Sequence, residues 1–421
     1  MADIWRISGA RAAVEAGDEL TGAMEALTTA FQPIVDLATG GVIAHEALTR
    51  GPAGSLERPE QLFERARSEN RLAQLDELCR IRALEATLAA GDDGPSTLFL
   101  NVEPDGIPIG PPPAVAREFA ARGGRLVMEF TERALTADPA RVQWFATRLR
   151  HVGVAVALDD VGSHPSSLAL MPFLRPEVVK LDQALIQDPH DDAAARIATA
   201  VFAYAEQNDA IVLAEGIETA EHERTARALG ATLGQGWYYG RPGLLGPDPR
   251  RIPPVSVPLA RAPEGPTRRS PFATVSRSRP MRHGGLAEVS LAAELLERRA
   301  LTAEGPTVTL ATVGPRGVPD GARAARYVRA AAETSLVALL GAGTEPLPGV
   351  RGADLGEGDP LRAEWDVIVV GPHVAAALVA REFLGGEYQY AVVYERDLVL
   401  ELARSLMSRT VPAPGATMPG V

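Results

Sequence analysis

The sequence predicts an α/β protein: a TIM-like (β/α)8 barrel followed by a smaller C-terminal α/β domain. Eight short apolar runs recur over roughly 225 residues, close to the ~250 typical of such a barrel. Segments of helical spacing lie between most of them, the pattern of βα units around a mainly parallel sheet. No glycine-rich dinucleotide fingerprint or P-loop follows any run, which weakens the alternative of an open doubly wound sheet.

The runs are Phe31 to Val35, Val42 to Ala44, Leu98 to Leu100, Leu126 to Met128, Val154 to Leu158, Val178-Val179, Ile211 to Ala214 and Ala231 to Leu233. Their continuous apolar character suits strands buried on both faces. Between them, Leu62, Phe63 and Ala66, and then Val142, Phe145 and Leu149, have helical spacing. Residues 253–283 are rich in Pro, Arg and Ser and read as a linker. The chain therefore divides into a barrel at 1–252, a linker at 253–283, an α/β domain at 284–409 and a flexible tail at 410–421.

In the second domain the spacing predicts a helix from Leu286 to Arg298, a strand from Thr307 to Thr312, a helix from Ala322 to Ala332 and a strand from Ser335 to Leu340. A strand from Trp365 to Val370, a helix from Val374, a strand from Tyr388 to Val393 and a last helix to about Met407 complete it. Asp354, Glu357 and Asp359 read as solvated loop acids, and no catalytic constellation stands out there.

Composition narrows the function. In 421 residues, 46% are hydrophobic and 23% charged, as in ordinary globular proteins. A formal net charge of -12 argues against binding a nucleic-acid polymer or an anionic membrane nonspecifically. The single cysteine, Cys79, excludes an internal disulfide and any multi-cysteine metal site. It lies among Leu72, Leu75, Leu78 and Ile81 and reads as a structural thiol. No apolar run approaches the ~20 residues of a membrane span, and no signal-peptide core is present, so a cytoplasmic location is expected.

The chemistry sits where the apolar runs end. Glu46 follows the second run, Asn101 the third, Glu129 the fourth, Asp159 and Asp160 the fifth, Lys180 the sixth, Glu215 the seventh and Gln235 the eighth. In a barrel all these strand ends face one mouth. Lys180 is the only lysine among 42 cationic side chains, and an ammonium, unlike a guanidinium, can shift its pKa and handle a proton. Carboxylates gathered in one cleft repel unless cations neutralise them. Oxygen ligands without histidine or cysteine suit Mg2+ or Mn2+, and adjacent aspartates can serve two ions. Two-metal sites clamp the attacking and leaving oxygens of phosphoryl transfer, so phosphodiester hydrolysis is the leading reaction class. Lys180 and Glu215 are placed to orient or deprotonate the attacking water.

These residues fall in a longer pattern: Phe31-Gln32-Pro33-Ile34-Val35-Asp36, Glu46-Ala47-Leu48-Thr49-Arg50, Asn101, Glu129-Phe130-Thr131-Glu132, Leu158-Asp159-Asp160-Val161-Gly162, Val179-Lys180-Leu181-Asp182, Ala214-Glu215-Gly216-Ile217-Glu218-Thr219 and Gly234-Gln235-Gly236. Over about residues 28–245 the chain resembles the EAL-domain cyclic-di-GMP phosphodiesterases. The resemblance implies a barrel with one antiparallel strand, which fits the short spacing between Val35 and Val42. It implies Glu46, Asn101, Glu129 and Asp159 as ligands of a first metal, and Asp159 and Asp160 as ligands of a second, with Asp182 nearby. Lys180 would contact the nucleophilic water, Glu215 would be the general base and Gln235 would hold water or substrate. Gln32 and Arg50 would contact the cyclic dinucleotide, and Glu132 would anchor the loop after the aspartates. The implied product is linear pGpG and the implied assembly a homodimer.

The same loop departs from the family pattern: Val161 replaces an aromatic residue and Ser163-His164-Pro165 precedes Ser166-Ser167. That departure motivates a second reading, a receptor that binds cyclic-di-GMP or a protein partner without hydrolysis. Residues 284–409 weakly resemble the DICT sensory domain, which implies regulation by a signal or protein partner.

Overall fold

The computed structural model describes residues 19–91, 94–103, 114–163, 166–189, 192–252, 269–314, 321–341, 347–383 and 385–412. Helix α1 (Glu19–Glu25) leads into an antiparallel hairpin, β1 (Thr28–Asp36) and β2 (Val42–Arg50). Helices α2 (Pro59–Ser68) and α3 (Leu72–Ala89) precede β3 (Thr97–Asn101), and α4 (Ala114–Ala121) precedes β4 (Arg125–Thr131). Then come α5 (Glu132–Ala137), α6 (Pro139–His151), β5 (Ala155–Val161), α7 (Ser166–Leu174) and β6 (Val178–Leu181). Helices α8 (Gln183–Gln187) and α9 (Asp192–Asn208), strand β7 (Ile211–Ala214), α10 (Ala220–Ala228) and β8 (Leu233–Gln235) complete the round. The eight strands form a closed barrel in sequence order. β1 is antiparallel to both neighbours, and the remaining neighbours are parallel. The expected TIM-like barrel with one antiparallel strand is what the chain forms.

Local chemistry explains the elements. In α6, Pro139 opens the helix and the Asp138 side chain accepts from Arg141 N at 3.0 Å, while Arg148, Arg150 and His151 occupy the last turn. These are the residues that satisfy a helix's orphan donors and its dipole. Phe145 on the buried face meets Phe130 of β4 edge to face at 6.0 Å.

A second unit begins at α11 (Pro271–Ser278) and holds a seven-stranded sheet. Its strands are β9 (Arg282–Gly284), β10 (Val308–Thr312), β11 (Leu336–Gly341), β12 (Arg351–Asp354), β13 (Glu364–Val370), β14 (Ala375–Glu382) and β15 (Tyr388–Val393). The order is β12-β11-β10-β13-β14-β15-β9. Helices α12 (Leu286–Leu301) and α13 (Gly321–Glu333) pack on one face through Val289, Ala293, Leu296, Tyr327 and Ala330. On the other face α14 (Arg396–Met407) buries Val399, Leu402 and Leu406 in the cluster that also holds the barrel's outer layer.

Two expectations about this region need correction. The part of the expected linker within 269–283 is structured: Ser270 caps α11 by accepting from Ala273 N, and Phe272 and Val275 are buried. Ser-Pro there opens a helix instead of marking a connector. The segment after Val374 is strand β14, not a helix. Its alanines favour helix, but pairing with β13 and β15 and burial of Ala376 to Ala380 override that preference. No helix among the described residues is long and apolar enough to cross a membrane.

Candidate active site

Side chains alternate along each strand between the barrel interior and the surrounding helices. Ile34, Ala44, Phe99, Val127, Ala157, Val178, Leu213 and Leu233 pack together as an interior layer. Two residues from each of these, toward the carboxyl ends of the parallel strands, stand Gln32, Glu46, Asn101, Glu129, Asp159, Lys180, Glu215 and Gln235. On antiparallel β1 the same step runs backward, so Gln32 lies opposite Glu46. The pleat thus turns the polar strand-end residues into one ring with a member from every strand. Several sit deeper than the apolar runs suggest, because β2 continues to Arg50 and β8 lies at Leu233–Gln235 instead of Ala231 to Leu233.

Lys180 lies at the centre of the ring and is fully buried. Its Nζ is 2.8 Å from Glu129 Oε1, 2.8 Å from Glu215 Oε1, 3.0 Å from Asp159 Oδ1 and 3.7 Å from Glu46 Oε2. Glu46 accepts from Asn101 Nδ2 at 3.1 Å and from Gln235 Nε2 at 2.6 Å. Gln235 also donates to Gln32 Oε1 at 3.1 Å, and Gln32 Nε2 donates to Gly240 O at 3.2 Å. All eight ring residues are therefore joined by ion pairs or hydrogen bonds.

Asp160 reaches the ring by a different route. The β5–β6 register shifts between Leu158 and Val161, and Asp160 has φ 58, a left-handed backbone that few non-glycine residues adopt. This bulge brings Asp159, Asp160 and Glu215 close enough for one ligand atom from each to lie within 4.8 Å of the others. Asp182 is not part of that group: its Oδ1 accepts from Ala184 N at 2.8 Å and caps α8. Arg50 ends β2 and donates from Nη1 to Thr49 O at 2.8 Å, outside the ring's hydrogen bonds. Glu132 is buried at the start of α5, and of the altered loop, His164 and Pro165 lie outside the described residues.

Electrostatics follow from one buried ammonium among several carboxylates. Burial pushes Lys180 down, but Asp159, Glu129, Glu215 and Glu46 outweigh it and hold the ammonium well above the ordinary lysine range. Burial lifts Glu215 to about 8, against the pull of Lys180. Burial and then the Asp159 charge lift Asp160 to about 6. Burial and then Glu46 lift Glu129 well above the carboxylate range. Glu46 falls below it, since Lys180 and the hydrogen bonds from Gln235 and Asn101 overcome burial.

Such a set fits hard divalent cations. Every donor is oxygen, negative charge exceeds the one ammonium, and buried Glu129 Oε2 receives no hydrogen bond. Beside the ring lies a cavity of about 270 Å3, lined among others by Arg50, Phe63, Cys79, Asn101 and Thr131. Burial raises the Cys79 thiol to about 11, which agrees with an inert structural role.

Two supporting residues escaped the sequence reading. Asp76, buried on α3, pairs with Arg80 and accepts from Glu103 N at 3.2 Å, which fixes the chain just after Asn101. Gln187 donates from Nε2 to Gly216 O at 3.1 Å, behind Glu215. An acid or amide on a helix carries no local signal of such a long-range partner.

Comparison with known proteins finds one matching family and several relatives. The family model for the EAL domain matches residues 18–242. Cyclic di-GMP phosphodiesterase NbdA of Pseudomonas aeruginosa is 31% identical over 221 residues, covering 50% of this chain and 28% of that protein. The probable cyclic di-GMP phosphodiesterase PdeB of Escherichia coli is 28% identical over 228 residues, covering 50% of this chain and 42% of that protein. The chain thus spans less than half the length of either relative. Among solved structures, the manganese/cyclic di-GMP complex of Klebsiella pneumoniae BlrP1 at pH 6 is 26% identical. It covers 54% of this chain and 57% of that one, with a TM-score of 0.45.

Proposed function

The chain belongs to the EAL-domain family, and from that premise we propose that it is a metal-dependent phosphodiesterase that hydrolyses cyclic di-GMP to linear pGpG. One observation carries the reading: all eight strands deliver a polar residue to one ring, and Lys180 bridges Glu46, Glu129, Asp159 and Glu215. In this reading Glu46, Asn101, Glu129 and Asp159 hold one divalent cation, Mg2+ or Mn2+, and Asp159 and Asp160 a second. Asp182 supports the second position once its side chain leaves the α8 cap. Bound there, the two cations lower the pKa of water and stabilise charge on the phosphate oxygens.

The protein's own groups do the rest. Glu215, raised by burial, accepts the proton of the attacking water. Lys180 orients that water and screens the carboxylates, and Gln235 holds it or the substrate by hydrogen bonding. The water oxygen bonds to phosphorus, the P–O3′ bond breaks, and the leaving oxygen gains a proton, which leaves pGpG. Arg50 and Gln32 contact the substrate, a guanidinium being suited to phosphate. The cavity beside Arg50 and Asn101 accommodates part of the dinucleotide. Glu132 anchors the loop after Asp160. The same reading includes a homodimer formed through the barrel and a regulatory, sensory role for residues 269–412.

Purified protein incubated with cyclic di-GMP and Mn2+ or Mg2+ is expected to yield pGpG on ion-exchange chromatography. Tight binding of intact nucleotide, with no product under either ion, would replace this reading with that of a receptor.

A further inference from the structure

The second unit grips the barrel at the ends of two helices, and both helices follow strands of the polar ring. Arg404 on α14 donates from Nη2 to Pro172 O, in the last turn of α7, at 2.8 Å. Arg351 on β12 donates from Nη1 to Ala137 O at 3.0 Å and from Nη2 to Thr136 O, at the end of α5. The last carbonyls of a helix lack intrahelical donors and carry partial negative charge, so a guanidinium is a fitting cap. Both caps are partly buried: burial holds Arg351 below the ordinary arginine range and Arg404 at about 10. A charged hydrogen bond is stronger than a neutral one.

The gripped helices connect closely to the site. α5 begins at Glu132, directly after β4, which carries Glu129. α7 begins at Ser166, shortly after β5, which carries Asp159 and Asp160. α5 and α7 pack against each other, and α14 packs on α7. The end of α7 has anchors within the barrel as well: Arg150 Nη2 donates to Leu174 O at 3.0 Å, and Tyr204 Oη to Pro176 O at 3.1 Å. Arg404 adds to this set an anchor from the other unit. Its Nε is buried without a partner beside a cavity of about 80 Å3 shared by the two units, so this guanidinium still has an unused donor.

We propose that Arg351 and Arg404 are positioning residues through which the unit at 269–412 sets the placement of Glu129, Asp159 and Asp160. Its docking then tunes the affinity of the ring for divalent cations. This rests on the metal-binding reading of the ring. Close-packed interiors pass a helix shift on to the strand beneath it instead of absorbing it. A change in how the second unit sits therefore reaches the two strands that carry Glu129, Asp159 and Asp160.

The test uses the full-length chain carrying Arg404→Gln, Arg351→Gln or both. Mn2+ binding is measured by calorimetry, and hydrogen exchange over residues 155–175 is followed without metal. Arg298→Gln is the control, since Arg298 pairs with Glu294 at the surface of α12. Mn2+ affinity is expected to fall about three- to tenfold in each single variant, the scale of mutations along a coupled network. Exchange should rise at 159–163 and 166–174, Arg404→Lys should recover most of the loss, and the control should change neither. Unchanged affinity and unchanged exchange in the double variant overturn the proposal. If the parent protein binds no Mn2+, the metal reading of the ring fails instead, and the exchange data alone decide whether the arginines position these strands. Should the double variant fail to fold, Arg404→Gln carries the same comparison.

Discussion

Lys180 decides the charge balance of the ring. Its four carboxylate neighbours come from four strands, so its removal leaves buried anions without a cation. Lys180→Met should cut turnover by roughly 100-fold or more, the scale of a lost proton-handling group, while cyclic di-GMP still binds. Calorimetry beside a turnover assay separates the two effects, and equal rates for mutant and parent would remove Lys180 from the chemistry. Glu215 gives a pH test. Its folded value of about 8 is above its ordinary 4.5, so its contribution to metal-free stability is full below 4.5 and lost as pH rises through about 8. Cations favour ionised carboxylates beside them, so Mn2+ affinity should rise between pH 6 and 8 as the ligand Asp160 and then the neighbouring Glu215 lose their protons. Glu215→Gln should flatten the upper part of that rise and abolish turnover, as calorimetry at several pH values and a product assay would show. Seven ring residues were legible because each follows an apolar run, whereas Gln32 lies inside the first run and was legible only through the family motif. Asp182 was less so, because the same carboxylate serves equally well as a ligand or a helix cap.

At the scale of elements, the bulge in β5 and the turn after β8 shape the site. Gly236 follows Gln235, and a Cβ there would overlap the backbone of Ile217, whose N–H bonds Gln235 O at 3.0 Å. Gly236→Ala should destabilise the protein by about 1–3 kcal/mol, the usual cost of a forced backbone shift, and lower turnover through Gln235. A urea midpoint equal to that of the parent would contradict this. The barrel strands are legible in the sequence because they are buried on both faces and bounded by polar residues. At β14 the alanine-rich composition favours helix, but the adjoining strands β13 and β15 pair with it on both edges and recruit it into the sheet centre. The positive φ of Asp160 had no sequence signature either, since the bulge arises from the register of β5 against β6.

For the whole molecule, the family match ends at residue 242, while the structure continues into a second unit capped onto the barrel. Arg351 and Ala137 are 214 residues apart, so nothing local in the sequence announces their contact. Metal binding should stabilise the full chain by mass action, by about 2.7 kcal/mol for each occupied site at a hundredfold excess over Kd. Thermal unfolding with Mn2+ and then with a chelator measures this, and an unchanged midpoint would argue against a metal-built ring. In the proposed reaction this ring directs water onto a phosphodiester of cyclic di-GMP. Turnover of cyclic di-GMP by the full-length protein with Mn2+ in heavy-oxygen water, read by mass spectrometry, tests it most directly. The expected product is pGpG bearing one heavy oxygen in its 5′-phosphate, with none from Glu215→Gln. Intact cyclic di-GMP under the same conditions, or equal product from the Glu215 variant, would contradict it.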